Sequence, residues 1–171
     1  MLNFNGKVAV VTGGGGDIGR AACVTLAKQG AKVLVVDMNN DAIAKTVDAV
    51  QAAGGTAEGF VADVSKAADC QAYAEKAVEL WGRIDSFLNN AGIEGPAAPI
   101  TDYPEEAFDK VLSVNVKGVF LGMKSVIPHM ESGAAIVNTA SVAGLQGSPG
   151  LIGYVTSKHA VIGMTRVAAL E

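Results

Sequence analysis

With 171 residues, half of them hydrophobic and 18% charged, the chain has enough apolar material for one substantial core and is short for two. A formal net charge of −4 offers no broad attraction to phosphate backbones or anionic lipid, which argues against nucleic acid or a membrane as partner. The two cysteines, Cys23 and Cys70, form no CxxC pair, and His129 and His159 lack the spacing of a zinc site, so the composition reads as a reduced, cytoplasmic protein without a metal.

Short apolar runs alternate with longer segments of helical period. Lys7–Thr12 reads as a strand and Ile18–Gln29 as a helix stopped by Gly30. Lys32–Asp37 is the second strand, Asp41–Ala53 a helix ended by Gly54-Gly55, Ala57–Ala62 the third strand, and Lys66–Trp81 a helix stopped by Gly82. Ile84–Leu88 and Ala134–Thr139 are strands four and five. Between them a helix opens at Pro104, with acids in its first turn to match the dipole, and runs to about His129. The last helix carries Tyr154. Runs such as VAVV and VLVV are apolar at consecutive positions, the mark of strands covered on both faces, so the fold class is α/β with a doubly wound parallel sheet of Rossmann type. The whole of 1–171 reads as a single dinucleotide-binding and catalytic domain.

Thr12-Gly-Gly-Gly-Gly-Asp-Ile-Gly19 joins the first strand to the first helix. Glycines there let the backbone turn tightly and approach a pyrophosphate, while free N–H groups and the positive end of the helix dipole hold the anion; the alternative is a structural tight turn. Asp37 closes the second strand. A carboxylate there accepts the hydroxyls of an adenosine ribose and repels a 2′-phosphate, which favours NAD over NADP; the alternative is a helix cap among Asn39, Asn40 and Asp41. No Arg or Lys directly follows the second strand to meet a phosphate. Tyr154 and Lys158 project from one face of the last helix at i, i+4 spacing. A phenol needs a neighbouring positive charge to serve as a base at neutral pH, and the lysine supplies one.

In order along the chain, TGGGGDIG, Asp37, Asp63-Val64, NNAG at Asn89–Gly92, Asn115, Ser141 and YVTSK at Tyr154–Lys158 resemble the short-chain dehydrogenase/reductase family. The resemblance implies an NAD-dependent oxidoreductase that interconverts a secondary alcohol and a carbonyl. Tyr154 would give or take the hydroxyl proton, Ser141 would hydrogen-bond the carbonyl oxygen, Lys158 would assist Tyr154 and bind the nicotinamide ribose, and Asn115 would bend its helix and hold a relay water. Gly13, Gly16, Asp17 and Ile18 would line the pyrophosphate site, Asp63 and Val64 would meet the adenine, and Asn90 would meet a ribose through its backbone.

The family pattern has glycine where this chain has Asp17. Its carboxylate either repels the pyrophosphate or turns away to cap the first helix, with Gly13 to Gly16 still offering backbone donors. Glu94 is the one distinctive polar residue in the loop after NNAG, readable as a solvated acid or a substrate contact. Apolar positions continuing around the two long helices lead us to expect a homodimer or homotetramer. The apolar fifth strand and the helix-favouring Val167–Glu171 lead us to expect a chain truncated at its C-terminus, with further strands missing. The competing function is a nucleotide-binding relative, or inactive fragment, without turnover.

Overall fold

The computed structural model describes residues 3–171. Five strands, β1 (Val8–Thr12), β2 (Lys32–Asp37), β3 (Thr56–Val61), β4 (Ile84–Asn89) and β5 (Met130–Asn138), form one parallel sheet in the order β3-β2-β1-β4-β5. Helices α1 (Asp17–Lys28), α2 (Asn40–Ala52), α3 (Ala67–Trp81), α4 (Glu105–Leu112), α5 (Gly118–Val126) and α6 (Ile152–Ala168) complete the alternation.

The consecutive apolar positions are explained by two packed faces. Val10, Leu34, Val36 and Phe87 pack with Cys70, Tyr73 and Ala74 of α3 and Leu121 of α5. Their strand neighbours Ala9, Val11, Val33 and Val35 turn the other way, onto Cys23 and Ala27 of α1 and Ile43 and Val50 of α2. α6 joins through Val161, which packs with Val119 and Met123. Helix ends follow local chemistry. Asn39 caps α2 by accepting from the Ala42 N–H, α3 stops at Gly82 in the left-handed region with φ 83°, and α4 begins after Pro104 with Glu105 and Glu106 in its first turn.

Two expectations about elements need correction. The segment from Pro104 to His129 is not one uniform helix, because a π-helical turn, Ser113–Lys117, separates α4 from α5 and a 3₁₀ turn, Ile127–His129, follows. Glu105–His129 is long and apolar enough to cross a membrane, an 18-residue stretch of it reaching a mean hydropathy of 1.2, yet half of that stretch is buried inside this fold. Strand five starts at Met130, earlier than its apolar run suggests, since Met130 pairs with Ile84 across a register irregularity before regular pairing from Ser86 with Ala135. It therefore includes Glu131, and it lies at an edge of the sheet with Val137 exposed.

At the opposite end of the sheet from the glycine-rich loop, Asp85 ties β1 to β4. Its carboxylate accepts from the Val8 N–H at 3.0 Å, Lys7 Nζ at 3.0 Å and Arg83 Nη2 at 2.6 Å. Burial pushes the Asp85 carboxyl up, but these donors together outweigh it and hold the carboxyl below the ordinary carboxylate range. The stabilisation is thus present above the unfolded carboxylate's range and is lost as pH falls through the depressed folded value. Asp85→Asn is expected to cost about 1–3 kcal/mol at neutral pH. In thermal melts across a pH series, the gap from the parent chain should close under acid conditions; a gap independent of pH would contradict this account.

Candidate active site

A cavity of about 740 Å³ opens at the carboxyl ends of β1, β4 and β5, beside the crevice where the strand order reverses between β1 and β4. Gly13, Gly16, Asp17, Ile18, Asp37, Asn90, Glu94, Ser141, Tyr154 and Lys158 all line it. Asp63, Val64 and Asn115 do not. Val64 lies in the wall of an adjoining apolar slot of about 150 Å³, with Met38, Ala62 and Val114.

The loop between β1 and α1 is compressed to a degree that only glycine permits at its ends. Gly13 has φ +62°, and a Cβ on it would lie 2.9 Å from the Ala91 Cα, while a Cβ on Gly19 would overlap the Gly13 carbonyl oxygen. Thr12 fastens this loop to the next, its hydroxyl accepting from the Asn90 N–H at 3.0 Å and the Ala91 N–H at 3.2 Å. Asn90 returns a bond from Nδ2 to the Thr12 carbonyl at 3.2 Å, and its Oδ1 accepts from the Thr139 hydroxyl at 3.2 Å. With that N–H engaged, the carbonyl of Asn90 is the backbone group it can offer a ribose.

The expected donors of the glycine run are largely spent within the chain. Gly14 N–H donates to the Val36 carbonyl at 3.0 Å, Gly16 N–H to the Gly13 carbonyl at 3.2 Å, and Gly15 N–H to Asp37 Oδ2 at 3.0 Å. The first helical bond of α1 runs from the Arg20 N–H to the Gly16 carbonyl. Asp17, Ile18 and Gly19 therefore bring orphan N–H groups to the cavity wall, the anion-binding arrangement of a helix N-terminus. Asp17 does not cap α1. It is the first helical residue after Gly16, its side chain is fully exposed, and its carboxylate lies 3.6 Å from Arg20 Nη1.

Asp37 is oriented by two amides, Gly15 N–H on Oδ2 and Asn39 N–H on Oδ1 at 3.1 Å. The cap of α2 is Asn39, so Asp37 is not spent on capping. Asp63 is held within its own loop. Its Oδ1 accepts from the Ser65 hydroxyl at 2.6 Å and the Ser65 N–H at 3.0 Å, and the Ser65 hydroxyl bond is the main reason that its carboxyl lies below the usual range.

On the other side of the cavity, Lys158 is almost fully buried one turn after Tyr154. Its ammonium donates to the Thr139 carbonyl at 2.8 Å and lies 5.5 Å from the centre of the Tyr154 ring. Burial lowers the Lys158 pKa from the ordinary lysine value. The Ser141 hydroxyl accepts from the Ala143 N–H at 3.2 Å, opening the 3₁₀ turn Val142–Gly144, which leaves its own proton available to the cavity. Asn115, fully buried on the π turn, has its side chain committed to the loop. Oδ1 accepts from the Ile93 N–H and Nδ2 donates to the Ile93 carbonyl, both at 2.8 Å, and Nδ2 also reaches Ser157 Oγ at 3.0 Å. Sequence reasoning did not find Arg20 or Thr46, which hold the glycine loop from α1 and α2. Neither belongs to a motif, and only the packing of the two helices brings them together.

The short chain dehydrogenase model matches residues 7–171. The chain belongs to the short-chain dehydrogenase family. Within that family it is 44% identical to a levodione reductase of Leifsonia aquatica over 172 residues, covering 98% of this chain and 64% of that protein. It is 42% identical to a cyclohexanol dehydrogenase of Acinetobacter sp. (strain SE19), covering 98% of this chain and 68% of that protein. The crystal structure of NAD⁺-bound xylitol dehydrogenase superposes with a TM-score of 0.96 at 42% identity, covering 99% of this chain and 66% of that one. The chain thus spans about two thirds of the length of these short-chain dehydrogenases.

Proposed function

We infer that the chain is an NAD-dependent oxidoreductase domain that interconverts a secondary alcohol and a carbonyl. The observation that carries this reading is the single cavity shared by the N-terminus of α1, Asp37, Ser141, Tyr154 and Lys158. The residues fit a dinucleotide: orphan N–H groups of Asp17, Ile18 and Gly19 suit a pyrophosphate, Asp37 suits an unphosphorylated ribose, and the slot holding Val64 suits an adenine face. Bound NAD would supply the hydride acceptor.

The proton chemistry belongs to this chain. Tyr154 Oη takes the substrate hydroxyl proton during oxidation and returns it during reduction. Ser141 donates its hydroxyl proton to the substrate oxygen and fixes it opposite Tyr154. Lys158 places a buried positive charge against the Tyr154 ring, and its remaining N–H groups suit the hydroxyls of a nicotinamide ribose. Asn115 acts one step back: by clamping Ile93 it sets the floor of the cavity.

The substrate class in this reading is a small alcohol or ketone, supported by the names of the relatives, which act on levodione, cyclohexanol and xylitol. A homo-oligomer is part of the reading, supported by the exposed Phe120 and the groove it lines with Leu112, Val116 and Met164. A reducing, cytoplasmic setting is supported by Cys23 and Cys70, both free and buried, with the Cys23 thiol pushed up to about 12 by burial.

The test follows nicotinamide absorbance with cyclohexanol, cyclic diketones and polyols as substrates. Oxidation of an alcohol with NAD favoured over NADP is expected. Asp37→Ala should narrow that preference by about tenfold or more, chiefly through KM, by removing like-charge repulsion of the 2′-phosphate. An unchanged preference removes Asp37 from that role, and NAD binding without turnover on any alcohol favours a non-catalytic relative.

A further inference from the structure

The glycine-rich loop is held from behind as well as from within. Arg20 on α1 donates from Nη2 to the Gly15 carbonyl at 2.6 Å and from Nε to the Thr46 hydroxyl at 3.1 Å. Thr46 on α2 is fully buried, and its hydroxyl lies 2.9 Å from the Gly14 carbonyl and 3.1 Å from the Ala42 carbonyl of its own helix. Because Arg20 Nε occupies a lone pair, the single hydroxyl proton is left for one of those two carbonyls. Neither Arg20 nor Thr46 lines the cavity.

The consequence is electrostatic. Two successive peptide groups of the loop have their oxygens drawn into the seam between α1 and α2. Rotation of either peptide would aim a partial negative charge at an anion and take an N–H away from Asp37 or from the Gly13 carbonyl. Arg20 also faces Asp17 through Nη1 at 3.6 Å, so its positive charge sits beside the acid in the first turn of α1. A free helix N-terminus offers donors in any case. What the clamp adds is a fixed direction for the carbonyls that precede them.

The geometry points to Arg20 and Thr46 as positioning residues for dinucleotide binding, forming a clamp across α1 and α2 that keeps the Gly14 and Gly15 carbonyls turned away from the pyrophosphate. This rests on the NAD reading above. The two residues touch no ligand, and they act through the loop as one unit because they share a hydrogen bond.

Isothermal titration of NAD into the full chain tests it, with Thr46→Val, Thr46→Ser, Arg20→Met, Arg20→Lys and the Thr46→Val/Arg20→Met double variant. Thr46→Val and Arg20→Met should each raise the Kd for NAD about tenfold, Thr46→Ser should stay within about twofold, and the double variant should lose little more than the worse single. In turnover assays the loss should fall on KM for NAD far more than on kcat. Arg20→Lys keeps the charge but cannot bond Gly15 and Thr46 together, so it should bind NAD more weakly as well, and it serves where Thr46→Val does not fold. Folded variants that bind NAD as tightly as the parent, whatever their melting temperature, overturn the clamp alone. A parent chain that binds no NAD overturns the cofactor reading and the clamp with it.

Discussion

Tyr154→Phe should lower kcat by about 10²–10⁴-fold, the range associated with loss of a general acid or base. The substitution removes one oxygen and keeps the ring, so the 5.5 Å contact between Lys158 Nζ and the ring face survives, as does the bond from Lys158 to the Thr139 carbonyl. The backbone around it is also secure, since the Ser157 hydroxyl donates to the Tyr154 carbonyl at 2.7 Å, a bond that the side chain does not enter. Binding of NAD should therefore change little while turnover collapses. Parallel titrations with NAD and assays at saturating substrate separate the two effects. Near-normal turnover by the phenylalanine variant would remove Tyr154 from proton transfer and leave Ser141 or a water in its place.

Gly19→Ala is expected to damage the opposite half of the site, cofactor binding, about as severely. The new methyl would overlap the Gly13 carbonyl oxygen and lie 2.8 Å from both the Gly13 carbonyl carbon and the Gly14 Cα. All three obstacles are backbone, so no side chain can swing aside to make room. The Gly13-Gly14 peptide has to move, and with it go the bond from Gly16 N–H to Gly13 and the approach of Gly13 to Ala91. Overpacking of this kind costs about 1–3 kcal/mol, and the upper figure is a hundredfold or more in Kd. We expect NAD affinity to fall by about that factor, with a lower melting temperature, measured by titration and thermal unfolding on the same sample. An alanine variant with parental affinity would show that the loop can relax without losing its anion site.

The alternation of strands and helices was legible because it is written in local period. Stretches such as Val8–Val11 and Val33–Val36 are apolar at every position, and only a sheet packed on both faces buries all of them. The i, i+4 spacing of Tyr154 and Lys158 likewise needs nothing beyond a helix, and the glycines at Gly13 and Gly19 announce a turn that a side chain would obstruct. What a backbone amide or a side-chain oxygen does is another matter, because it depends on which distant group meets it. The glycine run reads as a row of donors until Val36, Asp37 and Gly13 consume three of them, leaving the anion to Asp17, Ile18 and Gly19. Asn115 stands on the π turn Ser113–Lys117, where the resemblance implies a bend, but that its amide closes on Ile93, and that the Asp63 carboxylate bonds to Ser65, depends on groups the local pattern does not name. Arg20 and Thr46 carry no sequence signal at all, since their meeting requires α1 and α2 to pack side by side on one face of the sheet. Sequence period determined the framework and the placing of the loops, because burial of apolar surface follows local geometry. Tertiary structure decided which polar groups remain free to bind, because a hydrogen bond once made inside the fold is no longer offered to a ligand.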